Sequence, residues 1–142
     1  MNSILFNEDF LHLEYLSQEN VLLETWYGFV DYARFVTATP IILQAIEQTG
    51  AQLVLCDLSR LKRLRENVFA YLTHEKARQL AKKGVVAYAL CVDPQRAEGV
   101  AANPINVQIA LGGSRLHLVS FSSAREAGIW LKQQMLQPQL NR

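Results

Sequence analysis

"LVLCDLSRLKRLREN", residues 53–67, passes from an apolar run into a basic loop. Leu53, Val54, Leu55 and Cys56 form a continuously apolar stretch of strand length, the pattern of a strand covered on both faces. A second such run, "VVAYALCV", occupies 85–92. Between them "ENVFAYLTHEKARQLAKK" (66–83) reads as a helix. Lys82 and Lys83 suit its C-terminal dipole, and Gly84 suits a left-handed cap. Two oily strands joined by one helix imply parallel neighbours with a right-handed crossover. This unit decides the fold class.

Upstream, "FLHLEYL" (10–16) alternates apolar and polar, as a strand with one wet face does. "VLLETWYG" (21–28) is a second strand, and "SQEN" between them predicts a hairpin. Asp31 is placed to cap a helix running to about Gln48. Pro40 lacks an N–H and crowds the preceding turn, so a kink or break is expected near Thr39. Downstream, Asp93-Pro94 marks a turn. Asn103-Pro104 should interrupt any helix in the Ala-rich stretch 96–111, with a short helix expected after Pro104. "RLHLVSF" (115–121) is the last strand. Ser123 and Glu126 fit a capping box for a final helix with Ala127, Trp130, Leu131, Gln134 and Met135 on one face. The expected core includes Val54, Leu55, Val86, Ala89, Leu90 and Trp130. The order β-β-α-β-α-β-α-β-α predicts an α/β fold: a mixed, mostly parallel five-stranded sheet with about four helices. A single domain is expected over residues 1–142, its core about 8–133, with residues 137–142 as a frayed tail.

Half of the 142 residues are hydrophobic and 19% are charged, ordinary values for a globular chain. A net charge of +1 gives no global pull toward nucleic acid or anionic membrane. The charge is unevenly spread. Residues 1–57 hold eight acids and one base (−7), residues 58–83 eight bases and two acids (+6), and the remainder five bases and three acids (+2). Cys56 and Cys91 both sit in oily runs and read as core thiols, too few for a disulfide scaffold and without a CxxC. "MNSILFNEDF" lacks the features of a signal peptide, and no apolar run approaches membrane-spanning length, so a cytoplasmic protein is expected.

The order of elements, with two stretches in particular, resembles the small stand-alone bacterial proteins of the SpoIIAA-like, or STAS (sulfate transporter and anti-sigma factor antagonist), superfamily. One stretch is "LVLCDLSRL", an oily strand followed by Asp57-Leu58-Ser59. The other is "FSSAREAGIWL", with Phe121, Glu126, Ala127, Trp130 and Leu131 in the closing strand-to-helix signature. The resemblance spans roughly residues 8–133 and implies a SpoIIAA-like fold and a non-catalytic protein-interaction or regulatory module. In phosphoregulated antagonists a loop after the third strand leads to Asp-Ser-Ser-Gly. Register from Asp57 places Arg65, Glu66, Asn67 and Val68 there, so the phosphorylatable serine is missing. Glu66 then either imitates a phosphoserine or favours the helix N-terminus through the dipole.

No catalytic constellation is evident. Asp57 and Asp93 end two strands, where ligands of open α/β sheets tend to bind, but turn formation explains both. The histidines His12, His74 and His117 do not cluster, and no metal or cofactor motif occurs. "RLKRLR" has no interleaved aromatic residues, so nucleic-acid binding is not expected. The candidate interaction surface is therefore Asp57, Ser59, Arg60, Lys62, Arg63, Arg65 and Glu66. The alternative is a small apolar-ligand or lipid carrier, with Trp26, Tyr27, Phe29, Phe69 and Tyr71 as candidate contacts. The charge split and an open sheet edge along the hairpin predict a homodimer.

Overall fold

The computed structural model describes residues 2–140, with side chains as far as Met135. Seven strands form one mixed sheet in the order β1-β2-β3-β4-β5-β7-β6. They are β1 (Ser3–Asn7), β2 (Leu11–Leu16), β3 (Val21–Trp26), β4 (Leu53–Asp57), β5 (Ala87–Cys91), β6 (Asn106–Leu111) and β7 (Ser114–Phe121). β3, β4, β5 and β7 run parallel. β1, β2 and β6 pair antiparallel at the two flanks.

The predicted parallel unit is present. β4 and β5 are buried along their whole length, as their unbroken apolar runs require. Two strands were not expected. β1 forms from the opening residues and covers the edge of β2 on which the hairpin-edge dimer was predicted. β6 replaces the short helix expected after Pro104. Asn106–Ile109 alternates polar and apolar, and Gly112 at φ 61° supplies the positive φ that a tight hairpin into β7 demands. A strand pairing with a waiting neighbour outweighs the weak helical preference of a six-residue stretch. The count is thus seven strands rather than five.

Helix α1 (Tyr32–Thr49) is capped by Asp31, whose carboxylate accepts the Arg34 N–H at 2.9 Å, and is closed by Gly50 at φ 71°. It runs through Pro40 without the expected break. The Thr39 hydroxyl donates to the Phe35 carbonyl at 2.9 Å in the turn the proline disturbs. Apolar anchoring by Phe35, Ala38, Ile42 and Ile46 holds the helix together on both sides of it. Helices α2 (Glu66–Tyr71) and α3 (Ala77–Lys82) are joined by a π-helical turn, Leu72–Lys76, into one continuous rod. Helix α4 (Ala124–Leu140) closes the chain, so three helical rods flank the sheet. The frayed tail expected over 137–142 falls outside the residues whose side chains are described.

The larger core packs α1, α2 and α3 onto one face of the sheet, through Leu11, Leu22, Trp26, Val54, Tyr88 and Leu118. On the other face α4 sets Ala127 and Leu131 against Val21, Leu53, Leu55, Ala87 and Ala89. Of the expected core, Val86 and Trp130 are only partly buried. Trp130 lies at the rim, edge-on to His117 with ring centroids 5.2 Å apart.

Candidate functional site

The parallel strands end on one rim of the sheet, and the loops that follow them are tied together there. Gly28 pairs with Leu61 and Leu64 with Ala97 as isolated parallel bridges. Lys62 N–H donates to Gly28 O at 2.9 Å, Leu64 N–H to Arg96 O at 2.8 Å, and Glu98 N–H to Leu64 O at 2.8 Å. Leu61 and Leu64 turn inward and are buried, while Arg60, Lys62, Arg63 and Arg65 point to solvent. The basic loop is therefore a fixed ledge that continues the sheet. Its buried leucines, Leu58, Leu61 and Leu64, recur every third residue and leave the basic side chains between them on the outer side.

Between this ledge and the start of α1 lies a cleft of about 550 Å³, lined by Phe29, Val30, Asp31, Tyr32, Arg34, Arg63, Arg65 and Asn67. Three arginines against one aspartate leave the lining at +2, with Arg63 also paired to Glu98 just outside it at 3.1 Å. Asp31 is already committed to capping α1. Phe29 is 78% exposed and Tyr32 44%, so two aromatic rings stand open to solvent among the cations. Lys62 Nζ lies 5.6 Å from the centre of the Phe29 ring, and the Arg34 guanidinium 4.5 Å from that of Phe10. Open rings amid guanidinium groups suit a ligand that is both anionic and partly apolar.

The expected surface residues divide. Arg63 and Arg65 line the cleft, and Lys62 reaches it over Phe29. Asp57 is 8% exposed, and its Oδ1 accepts both the Ser59 N–H (3.0 Å) and the Ser59 hydroxyl (2.6 Å). These two residues form a turn in which the Ser59 hydroxyl is spent on Asp57. Asp93 does the same, accepting from Gln95 N–H at 3.0 Å. Glu66 points away from the cleft onto the short 3₁₀ turn Gly99–Ala102, where it accepts the Val100 N–H at 3.2 Å. A side chain at position 99 would meet the Glu66 carboxylate and displace it, and φ 53° there favours glycine.

The expected apolar contacts divide too. Trp26, Phe69 and Tyr71 belong to the core; Trp26 stacks on Phe35 at 4.2 Å, and the Tyr71 hydroxyl meets Thr39 Oγ1 at 2.8 Å. Only Tyr27 and Phe29 remain exposed. Tyr32, Arg34 and Asn67, which complete the cleft, were not anticipated. Arg34 alone carried a signal, being the single base among the acids of residues 1–57.

The chemistry beneath the rim is closed. Glu24 and Lys76, 0% and 1% exposed, form an ion pair at 2.5 Å inside the larger core, and the Trp26 indole donates to the same carboxylate oxygen at 3.1 Å. The second oxygen of Glu24 and the Tyr88 hydroxyl are buried without a hydrogen-bond partner. Burial pushes the Lys76 ammonium down, but Glu24 and, to a lesser degree, Cys56 more than offset it, so its pKa lies above the ordinary 10.5. Burial, reinforced by Glu24, pushes the Cys56 thiol well up, and burial, followed by Cys56 and Glu24, holds Tyr88 well up as well. Burial and Asp57 raise Cys91 to about 11. Neither cysteine is poised as a nucleophile, since the thiolate is the reactive form. Among the described residues, no group of three or more His, Cys, Asp or Glu side chains is placed to hold a metal, and no helix is long and apolar enough to cross a membrane.

No family model and no curated protein matches the chain. It is similar to the solved structure of an uncharacterised protein from the DUF3478 family with a SpoIIAA-like fold, from Shewanella loihica PV-4. The two share 16% identity over 92% of each chain, at a TM-score of 0.43.

Proposed function

We propose that the chain is a non-catalytic interaction module of STAS-like type, working in the cytoplasm, whose cleft receives an acidic segment of a protein partner carrying an apolar or aromatic side chain. The observation that carries this reading is the hydrogen-bonded ledge, which brings Arg63 and Arg65 into one cleft with Arg34 and the exposed rings of Phe29 and Tyr32. Preorganised cations lose little entropy on binding, so such a cleft favours an anionic chain without any moving part. The absence of a hydroxyl at 65–68 and the engagement of Glu66 with Val100 support a module that is not switched by phosphorylation at this helix start.

The test is fluorescence anisotropy with a labelled peptide of alternating Glu and Phe, at rising salt. Binding that weakens with salt and disappears in the Arg63→Glu/Arg65→Glu double variant supports the reading. Binding unaffected by that variant places the acidic segment elsewhere and removes it. The alternative, a small apolar-ligand carrier, is favoured only by Tyr27 and Phe29, because the other three candidate contacts are part of the core. Native mass spectrometry of protein purified without detergent separates the two: a bound small molecule would favour the carrier.

A further inference from the structure

The sheet ends at β1 on one side and β6 on the other, and the two edges are built differently. β1 is five residues long and its register slips between Ile4 and Phe6, a bulge of the kind that blunts an edge. β6 keeps an unbroken register with β7 over Asn106–Leu111 and contains no charge and no proline. It lacks the charge, the proline and the bulge that commonly guard an open edge.

The direction of its free groups follows from the ladder. Ser120 N–H donates to Ile105 O at 2.9 Å, so Ile105 and Ser120 form a hydrogen-bonded pair. Antiparallel pairing alternates, so Val107, Ile109 and Leu111 also spend their backbone groups on β7. Asn106, Gln108 and Ala110 therefore aim theirs outward from the edge. Beside that edge, on the face of the larger core, runs a groove of about 450 Å³ between β6 and the helical rod. Its floor includes Val107 and Ile109, its wall Thr73, His74 and Arg78, and Val107 is 40% exposed.

We propose that this edge pairs with the β6 of a second copy, antiparallel about a two-fold axis through Gln108, giving a sheet continuous across both copies. This register sets Gln108 opposite Gln108 and Asn106 opposite Ala110, and closes about six backbone hydrogen bonds. It also sets Val107 of one copy beside Ile109 of the other on the groove face, where the added strand's apolar side chains fill the groove. A second copy fits better than a charged strand from elsewhere because the edge is neutral throughout and self-pairing opposes no like charges.

Sedimentation equilibrium of the full chain at micromolar concentrations tests the pairing, with circular dichroism as a check on folding. The wild-type chain is expected to run as a dimer. Gln108→Pro removes an N–H that faces outward and is not used by β7, so a folded monomer of half the mass is expected. Val107→Lys, which places a charge on each side of the axis, is expected to give the same result. Arg63→Glu/Arg65→Glu should remain a dimer, which separates this inference from the fate of the cleft. A wild-type monomer overturns the proposal and leaves the edge to another protein's strand. A dimer that survives both β6 substitutions overturns it as well, because the copies must then meet on another surface.

Discussion

Lys76 and Arg65 belong to the same basic segment, yet one is sealed in the core and the other stands in a solvent-filled cleft. Their difference separates charge that holds the fold from charge available to a partner. Lys76 lies on a stripe with Val68, Leu72 and Leu80, four residues apart at each step and all buried. Steps of four drift by about 40° each around a regular α-helix. The extra residue in the π-turn Leu72–Lys76 corrects that drift and keeps all four on the sheet. Glu24, between Leu22 and Trp26 on β3, meets Lys76 by the two-residue period of the strand. The arginines of the ledge lie on its outer side, between the buried Leu61 and Leu64 and beyond them. Position relative to the core, and not residue type, decides what each cation does.

The sharpest way to break this comparison is Lys76→Met. It leaves Glu24 charged and buried without its partner, and a loss of about 3–5 kcal/mol is expected in chemical denaturation. Replacing both partners, as Glu24→Leu with Lys76→Met, should recover most of that loss. If Lys76→Met alone costs no more than an exposed substitution, the pair does not hold the core.

The same pair sets an alkaline limit. The pKa of Lys76 is raised in the folded chain, so its contribution is fully present below the ordinary 10.5 and is lost as pH rises through the raised value. A denaturation series against pH should therefore be flat in this respect at neutrality and fall on the alkaline side. The double replacement should lack that part of the fall, and an unchanged profile would count against the assignment.

Gly99→Ala is expected to cost less, about 1–3 kcal/mol. A Cβ there would sit 1.2 Å from Glu66 Oε1, on a residue at φ 53°, so both the carboxylate and the backbone must shift. Thermal unfolding measures the cost, and an unchanged melting temperature would show that the 3₁₀ turn moves freely.

The smallest effect belongs to the ledge. Arg63 and Glu98 pair at 3.1 Å with both side chains well exposed, so Arg63→Ala should change stability by only about 0–1 kcal/mol. The contrast with Lys76→Met is the comparison in measurable form. A loss at Arg63 approaching that at Lys76 would mean the ledge is part of the folding core and is not held ready for a ligand.

Several residues announced their places in the sequence. The apolar runs of β4 and β5 announced buried parallel strands, Asp31 and Gly50 the ends of α1, and the run of bases after Asp57 a basic loop. Three of the eight cleft residues were singled out in the sequence, Arg63 and Arg65 as interaction residues and Phe29 as an apolar contact. Tyr32, Arg34 and Asn67 were not, because they come from two helix starts that only the crossover of α1 over the sheet brings beside the ledge. The phases of Glu24 and Lys76 pointed inward, but a lone charged residue at a core phase looks the same as a solvated one until its partner is known.

The local code of this chain determined its fold class, its central parallel strands and the chemistry of its basic loop, because periods of two and about 3.6 residues and helix caps act over short range. The tertiary structure decided the rest. It made β1 and β6 strands, since a short stretch takes an extended form only when a neighbour supplies its hydrogen bonds. It carried α1 through Pro40, since packing on both sides outweighs one missing bond. It joined Glu24 to Lys76, since only the folded sheet and helix bring those two charges out of water together.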